Sequence, residues 1–333
     1  MMKRLLAVFA LVLVGLAVMA AGLVWYAQQP LTLARPVVDF TLPLGTPMKL
    51  AARRIEAAGV GVNPVLLEWI ARLARLDREV KAGSYEVSAG LTPWLLLLKV
   101  TRGDVSQGEL TLVEGWTFRQ FRAALDAHPD LRHDSAGLGD GELLARIGAA
   151  ETSPEGLFFP DTYLFDKQSS DLRVMERAYQ AMGRRLEAAW SGRAADLPFS
   201  KAYDALILAS IVEKETGLAG DRPLVASVFI NRLRAGMRLQ TDPTVIYGLG
   251  ASFDGNLTRR HLTTDGPYNT YLRQGLPPTP IAMPGAEALR AVLQAPPSDY
   301  YYFVARGDGS SEFTRTLDEH NRAVARFQKR GRG

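Results

Sequence analysis

The sequence SKAYDALILASIVEKETG, residues 200–217, predicts a helix that carries an acid on its apolar side. Ser200 is a favoured N-cap residue, and Gly217 is a favoured residue just after a helix end. At 3.6 residues per turn, one face of this helix combines three apolar side chains with one carboxyl group. The members of that face are Leu208, Ile211, Val212 and Glu215.

Glu215 is the candidate general acid of this helix. A carboxyl group among apolar side chains has a raised pKa, which suits an acid that must hold a proton near neutral pH. Glu213 lies two positions away, so the two carboxyl groups point to roughly opposite sides and cannot serve one site together. The alternative is that Glu215 lies at a frayed, solvated helix end, as most glutamates are solvated.

The N-terminus predicts a membrane anchor. Leu5–Ala27 is a run of 23 residues without a charge, long enough to cross about 30 Å of hydrocarbon. Lys3 and Arg4 precede it, so residues 1–4 are expected in the cytoplasm and the rest of the chain on the other, periplasmic or extracytoplasmic, side of the inner membrane. A signal peptide cleaved after Val18-Met19-Ala20 is the alternative, but the run is longer than a usual signal core.

Composition narrows the possible functions. The chain has 47% hydrophobic and 22% charged residues, which is typical of a globular protein. A net charge of +4 without a basic, aromatic-rich block predicts no nucleic-acid partner. The absence of cysteine, and four histidines without metal-ligand spacing, predict no metal site. Without GxGxxG or GxxxxGK[ST], neither a nucleotide nor another cofactor is expected.

Residues 28–36 contain two prolines and predict a linker. Residues 37–103 predict a small β-α-α-β module followed by a further helix, with strands at Val38–Leu42 and Ser84–Ser88. Three helix starts in this module each combine an N-cap residue with proline at the first helical position. They are Thr46-Pro47, Asn63-Pro64 and Thr92-Pro93.

Residues 104–333 predict a larger domain, so the fold class is α+β with two domains behind a transmembrane helix. Besides the helix at 200–217, the expected elements are a strand at Leu110–Val113, helices at Asp171–Trp190 and at Asp221–Gly236 with Asp221 as cap, a strand at Tyr300–Ala305 and a helix from about Leu317 to Arg330.

Several segments together carry a family resemblance. They are EGW at 114–116, EGLFFPDTY at 155–163, ASIVEKETG at 209–217, VASVFINRLRAGMRLQTDPTVIYGLG at 225–250, YNTY at 268–271, GLPPTPIAMPG at 275–285, YYFVARGDG at 301–309 and EHN at 319–321. In these segments the chain resembles the endolytic murein transglycosylases, the MltG or YceG-like family. The resemblance implies a lytic-transglycosylase-like catalytic domain at 104–333. The module at 37–103 resembles LysM, a class that binds N-acetyl-sugar polymers; a plain spacer is the alternative.

The resemblance also implies a reaction. In that family the catalytic acid is the glutamate directly before a threonine or serine in this helix, which by position is Glu215 before Thr216. A lytic transglycosylase cleaves the glycan strand of peptidoglycan without water. The C6 hydroxyl of N-acetylmuramic acid attacks its own C1 and leaves a 1,6-anhydro end. One carboxyl group that first donates and then accepts a proton is therefore enough.

Polar and aromatic residues in the following loops are candidates for binding the sugar, because sugar rings present apolar faces and hydroxyl edges. They are Gln240, Thr241, Asp242, Tyr268, Asn269 and Tyr271. The alternative is that the first three only cap a turn and that the tyrosines belong to the core. Glu155 and Asp161 are further candidates for a cleft edge. The chain departs from the family at 310–313, where SSEF has no histidine.

Three functions remain open from sequence. The first is a membrane-anchored lytic transglycosylase that ends glycan elongation beside membrane-embedded peptidoglycan polymerases. The second is a glycan-binding scaffold of the wall-building machinery. The third is a hydrolase in which Glu215 works with Asp242 or Glu213. The products distinguish them, since the first leaves 1,6-anhydro ends, the third leaves reducing ends, and the second leaves none.

Overall fold

The computed structural model describes residues 2–216 and 218–327. The predicted helix-ending residue Gly217, and the last turn of the predicted C-terminal helix at 328–330, lie outside the described residues. The fold is mixed α+β with an apolar N-terminal helix, as the sequence predicts. The chain divides into two compact units, Met1–Glu109 with Leu164–Ser169, and Leu110–Tyr163 with Ser170–Gly333.

The first unit begins with the apolar helix and continues in the predicted order of strand, helix, helix and strand. Its elements are α1 (Met2–Gln28), β1 (Thr32–Leu33), β2 (Val37–Leu42), α2 (Met48–Ala57), β3 (Val60–Gly61), α3 (Pro64–Leu73), β4 (Gly83–Ser88) and α4 (Pro93–Arg102). Strand β2 pairs antiparallel with β4, and β1 pairs antiparallel with β3. Among the described residues, one helical stretch, Leu6–Gln28, is both long enough and apolar enough to cross a membrane, and its mean hydropathy is 2.7.

Two of the three predicted helix caps in this unit are confirmed. The side chain of Asn63 accepts hydrogen bonds from the backbone N–H groups of Val65 and Leu66, and that of Thr92 accepts one from Leu95. The prediction for Thr46 is wrong. Helix α2 begins at Met48, and the Thr46 hydroxyl instead donates to the carbonyl of Pro43 at 2.6 Å, within the preceding turn.

Residues 28–36 do not behave as a free linker. Helix α1 extends to Gln28, and Ala27 and Leu31 are buried in the core of the first unit. Residues Thr32 and Leu33 then pair with β3. The two prolines suggested an extended spacer, but an apolar residue between them, Leu31, is buried and fixes the segment to the module.

The second unit holds the predicted catalytic helix at its centre. From residue 107 onward the chain forms β5 (Gln107–Thr111), α5 (Phe118–Asp126), β6 (Leu131–Arg132), α6 (Asp140–Arg146), β7 (Thr162–Asp166), β8 (Ser169–Ser170), α7 (Asp171–Ser191), α8 (Ala202–Glu215), α9 (Arg222–Arg234), α10 (Asp242–Leu249), α11 (Arg259–Thr263), α12 (Ala286–Leu293), β9 (Tyr302–Ala305), β10 (Ser311–Thr314) and α13 (Leu317–Phe327). All of these belong to the second unit except residues 107–109 of β5, 164–166 of β7 and Ser169 of β8. Strand β5 pairs with β7, β6 with β8, and β9 with β10.

Helix α8 packs against α7, α9 and α12, and residues 205–212 are all buried. It is therefore a core helix that is surrounded on all sides, rather than an amphipathic surface helix. The prediction that Ser200 is its N-cap is wrong, because Lys201 occupies that position. The helix begins at Ala202, and the carboxylate of Asp204 accepts the hydroxyl of Ser200 and the N–H groups of Ser200 and Lys201.

Two other predicted ends also differ. The strand expected at Leu110–Val113 lies at Gln107–Thr111, and the strand expected at Tyr300–Ala305 begins at Tyr302. Asp221 precedes α9 as predicted, but its side chain does not cap that helix. It accepts the N–H of Ser311 at 2.6 Å, a contact distant in sequence that no local pattern reveals.

Candidate active site

Glu215 is the last residue of α8 and faces a cleft of about 580 Å³. The cleft is formed by α9, the loop before α10, Tyr271, the β9–β10 hairpin and α13. Its lining includes Phe229, Arg232, Gln240, Asp242, Tyr271, Tyr302 and His320. The end of a buried helix therefore delivers a carboxyl group to an open, polar and aromatic cavity.

The surroundings of Glu215 favour its protonated form. Burial raises the pKa of this carboxyl group, and the negative charge of Asp242 raises it further, whereas a hydrogen bond from Thr241 and the positive charge of Arg232 lower it. The net direction is upward, which confirms the raised pKa expected from sequence. The Thr241 hydroxyl donates to Oε1 of Glu215. Among the described residues, no hydrogen-bond donor reaches Oε2, so that oxygen is available for a substrate.

The loop that carries Thr241 is held in a strained conformation. Gln240 has a φ of 51°, in the left-handed region that side chains other than glycine rarely adopt. Its N–H donates to the carbonyl of Thr270 at 3.1 Å, and the N–H of Thr241 donates to the Thr270 hydroxyl at 3.1 Å. These two bonds hold Gln240 at this bend and direct the Thr241 side chain to Glu215.

Of the six predicted binding residues, the structure brings four to this site. Gln240, Asp242 and Tyr271 line the cleft, and Thr241 contacts Glu215. The Tyr271 hydroxyl donates to Oδ1 of Asp242 at 2.6 Å. Asp242 also occupies the first turn of α10, where a negative charge is favourable.

The other two predicted binding residues are placed differently. Asn269 is buried, and its amide nitrogen donates to the carbonyls of His261, Leu262 and Thr264. Its amide oxygen accepts the N–H of Tyr271 at 3.0 Å, so Asn269 orients the neighbouring tyrosine from behind. Tyr268 lines a second cleft, with its hydroxyl 2.7 Å from that of Thr279.

Glu213 belongs to a structural network. Its Oε2 accepts the N–H of Gly285 at 2.9 Å, and its Oε1 lies 3.6 Å from Arg222. The side chain is only 6% exposed. A Cβ atom at Gly285 would lie 1.8 Å from a carboxylate oxygen of Glu114, so the Glu114 side chain would have to move to admit a larger residue there. Glu213 thus ties the end of α8 to the starts of α9 and α12, and it does not line the cleft.

Arg232 is a cleft residue that the sequence analysis missed. It is buried, and it donates from Nε to the carbonyl of Tyr301 and from Nη1 to that of Leu239, both at 2.7 Å. It places a positive charge beside the carboxyl group of Glu215. The pattern that identified Glu215 also applies here, because Arg232 shares the helical face of Val225, Val228 and Phe229.

The C-terminal helix contributes a histidine to the same cleft. His320 stacks on the ring of Tyr302 at a centroid distance of 5.3 Å. Burial and the charge of Arg232 lower its pKa, which favours the neutral imidazole. Within the described part of the chain, its Nδ1 is buried without a hydrogen-bond partner. The chain thus lacks a histidine at 310–313 but presents one from α13.

The second cleft, of about 1020 Å³, contains another buried carboxyl group. Glu155 is 4% exposed and accepts the N–H of Phe118 at 2.9 Å on Oε1 and the hydroxyl of Tyr247 at 3.1 Å on Oε2. Burial raises its pKa to about 7, against the effect of these bonds. Asp161 lines neither cleft; its carboxylate accepts the N–H of Thr162.

A third group of titratable side chains lies outside the cleft of Glu215. Asp126, His133 and Asp171 bring their potential metal-binding atoms within 4.8 Å of one another. Asp171 is the first residue of α7, and its buried carboxylate already accepts hydrogen bonds from the hydroxyl and the N–H of Ser135. These bonds explain its position without a metal ion.

The chain is similar to known proteins over most of its length. A profile of the YceG-like family matches residues 40–326. A Bacillus subtilis (strain 168) protein named endolytic murein transglycosylase is 32% identical over 313 residues, which are 88% of this chain and 86% of that protein. The chain therefore belongs to the YceG-like family.

Two further similarities extend over most of the chain. A Streptococcus pneumoniae serotype 2 (strain D39) protein with the same name is 26% identical over 361 aligned positions, which cover 94% of this chain and 64% of that longer protein. The crystal structure of a yceG-like protein from Listeria monocytogenes has a TM-score of 0.55 and 29% identity. That match covers 87% of this chain and 99% of the Listeria chain.

Proposed function

We propose that this protein is an endolytic peptidoglycan lytic transglycosylase with Glu215 as its general acid and base. The observation that carries the proposal is the environment of this single carboxyl group. Its pKa is raised, one of its oxygens accepts the Thr241 hydroxyl, and the other has no donor among the described residues. The relatives named endolytic murein transglycosylases supply the class of substrate.

In this mechanism the protonated Glu215 donates its proton to the oxygen that joins N-acetylmuramic acid to N-acetylglucosamine. The bond from C1 to that oxygen breaks, and the leaving sugar departs with the proton. The Glu215 carboxylate then accepts the proton of the C6 hydroxyl as this oxygen forms a bond to C1. The proton count closes, since Glu215 ends protonated and the product carries a 1,6-anhydro ring.

One carboxyl group is sufficient because the nucleophile belongs to the substrate. Glycosidases that use water, or a covalent intermediate, need a second carboxyl group in the site. Here an intramolecular attack supplies the effective concentration of the nucleophile. The acetamido group of the substrate and polar groups such as Asp242 and the Tyr271 hydroxyl stabilise the positive charge that develops at C1.

The remaining parts of the chain suit an enzyme that works at a membrane. We infer that α1 is a retained anchor of the inner membrane, with Lys3 and Arg4 on the cytoplasmic side and both folded units on the other side. Residues 37–103 then form a LysM-like module that binds glycan and precedes, in the sequence, the catalytic domain at 104–333. An anchored enzyme of this kind meets nascent strands beside the polymerases and ends their elongation.

Product analysis tests the proposal. Purified full-length protein is incubated with long, uncleaved glycan strands, and the fragments are identified by mass spectrometry. We expect internal cleavage with 1,6-anhydro ends. Reducing ends would instead establish a hydrolase in which Asp242 serves as the second carboxyl group. Glycan binding without any cleavage would establish a scaffold.

A further inference from the structure

The apolar helix α1 is built into the first unit rather than attached by a flexible tether. The Tyr26 hydroxyl accepts the N–H of Asn63 at 2.7 Å, at the start of α3. Ala27 is buried, and Leu23 packs against the same core. Helix α1 contacts both α3 and α4. The depth of α1 in a membrane therefore sets the height of α3 and α4 above it.

Helix geometry gives that height. A hydrocarbon layer of about 30 Å is crossed by about 20 residues at 1.5 Å each, so a span that enters at Leu5 leaves the hydrocarbon near Val24. Leu23 and Val24 line an apolar groove of about 300 Å³ together with Ile70, Leu73, Ala74 and Trp94. These residues of α3 and α4 thus lie at the level where the hydrocarbon ends.

The same part of the unit exposes large apolar side chains. On α3, Val65, Trp69 and Leu73 follow one another at intervals of four residues, and Trp69 and Leu73 are 52% and 67% exposed. The other side of α3, with Leu67, Ile70 and Ala71, is buried in the core. Helix α3 is consequently apolar on two sides, which is unusual for a helix whose outer side meets water.

The surrounding residues suit a lipid surface. Trp94 and Leu95 of α4 add to the exposed apolar side chains, and tryptophan is enriched at membrane interfaces. Arg75 and Arg78 are exposed just beyond α3, where they can attract anionic headgroups, whereas Arg72 pairs with Glu68 on the helix at 2.7 Å. The apolar surface therefore begins where α1 leaves the bilayer, and charged residues of both signs follow it at 75–79.

We propose that the outer side of α3, with Trp94 and Leu95 of α4, inserts into the interface of the bilayer that α1 spans. We call this surface, formed by Val65, Trp69, Leu73, Trp94 and Leu95, the interfacial face. The proposal rests on the retention of α1, which is part of the proposed function. Its consequence is that the glycan-binding module is held against the membrane, where it meets only strands that are still close to their site of synthesis.

The chain contains no cysteine, so single cysteines can be labelled without further changes. Val65→Cys and Leu73→Cys each carry an environment-sensitive fluorophore in the full-length protein, reconstituted into vesicles of phosphatidylethanolamine and phosphatidylglycerol. Leu44→Cys is the matched control, because Leu44 is 93% exposed in the same unit and is not part of the groove. Quenching by bromine-labelled lipid chains is compared with quenching by iodide in water.

We expect lipid quenching at positions 65 and 73 to exceed that at position 44 several-fold, with the reverse order for iodide. Equal accessibility of all three labels to iodide would overturn the proposal. The mass of the reconstituted protein, which shows whether α1 is still present, and the cleavage of glycan are measured on the same sample. Loss of α1 by processing would overturn the proposal as well, whereas glycan cleavage tests the catalytic function independently of the interfacial face.

Discussion

Glu213 and Glu215 lie two residues apart at the end of one helix, and their surroundings are opposite. Both oxygens of Glu213 have partners, the N–H of Gly285 and the guanidinium of Arg222, in a nearly closed environment. Glu215 accepts one bond from Thr241 and faces an open cleft. Burial alone therefore does not distinguish the proposed acid from a residue that supports the fold. The two differ because, among the described residues, Oε2 of Glu215 has no hydrogen-bond donor and lies beside a cleft.

Glu155 extends the comparison to a third buried carboxyl group. It shares a raised pKa with Glu215, and it borders a larger cleft. Both of its oxygens, however, accept hydrogen bonds, one from the N–H of Phe118 and one from the hydroxyl of Tyr247. In this respect Glu155 resembles Glu213, whose two oxygens also have partners. We therefore assign Glu155 to the support of α5 and α10.

The sharpest test of the comparison exchanges each of the two helix glutamates for glutamine. Glu215→Gln should lower the rate of 1,6-anhydro product formation by at least about 10²–10⁴-fold, because the amide can neither donate the proton to the leaving oxygen nor accept the proton of the C6 hydroxyl. The fold should survive, since a neutral amide is less costly among apolar groups than a charge. Release of products from long glycan is measured by mass spectrometry, with circular dichroism as the control for folding. A fully active Glu215→Gln protein would contradict the proposed mechanism.

Glu213→Gln should affect stability instead of chemistry. The change removes the negative partner of Arg222 in a site with little access to water, and a decrease of about 1–3 kcal/mol in unfolding free energy is expected, because Gln still accepts the Gly285 N–H. Urea denaturation measures this loss. The activity per folded molecule should stay close to that of the unaltered protein. If Glu213→Gln were inactive but fully stable, Glu213 and not Glu215 would be the acid of the reaction.

Glu155 should make stability depend on pH. Its pKa is raised from 4.5 to about 7 in the fold, so the folded state favours the protonated carboxyl group. The associated stability is present below the pKa of the unfolded chain and is lost as pH rises through about 7. The loss amounts to at most about 3 kcal/mol. Urea midpoints between pH 4.5 and 8 should fall for the unaltered protein and fall less for Glu155→Gln; parallel curves would refute this assignment.

Much of this organisation follows from local patterns. The periodicity of 200–217 predicts helix α8 and the position of Glu215, and the caps at Asn63 and Thr92 depend only on neighbouring residues. Local patterns fail where a side chain has a closer competitor for its hydrogen bond. Thr46 bonds to Pro43 rather than to a helix, and Ser200 bonds to Asp204.

The composition of the cleft could be predicted only in part. Tyr268 and Tyr271 belong to one short motif, yet they line different clefts, because Asn269 between them is fixed by three backbone carbonyls. Such a division depends on contacts that are distant in sequence. The buried Arg232 was predictable in principle, since it follows Val225, Val228 and Phe229 at helical spacing, as Glu215 follows Leu208, Ile211 and Val212.

The smallest expected effects concern the two neighbours of Glu215 that act on its pKa in opposite directions. The Thr241 hydroxyl lowers the pKa of Glu215, so Thr241→Val, which keeps the branched shape, should raise it. The charge of Asp242 raises the same pKa, so Asp242→Asn, which keeps an oxygen for the Tyr271 hydroxyl, should lower it. Because the reaction begins from the protonated acid, activity decreases as pH rises through this pKa.

The decrease in kcat/KM with rising pH should therefore move to higher pH in Thr241→Val and to lower pH in Asp242→Asn. Thr241→Val leaves both the transferred proton and the groups that stabilise C1 in place, so its maximal rate should remain within about tenfold of the unaltered enzyme, or about 1.4 kcal/mol in barrier. Asp242→Asn also removes a charge proposed to stabilise C1, so its maximal rate should fall further. Rates of product release from pH 4 to 9 give both profiles. If the two variants move the profile in the same direction, the observed pKa does not belong to Glu215, and the distinction between this residue and Glu213 loses its electrostatic basis.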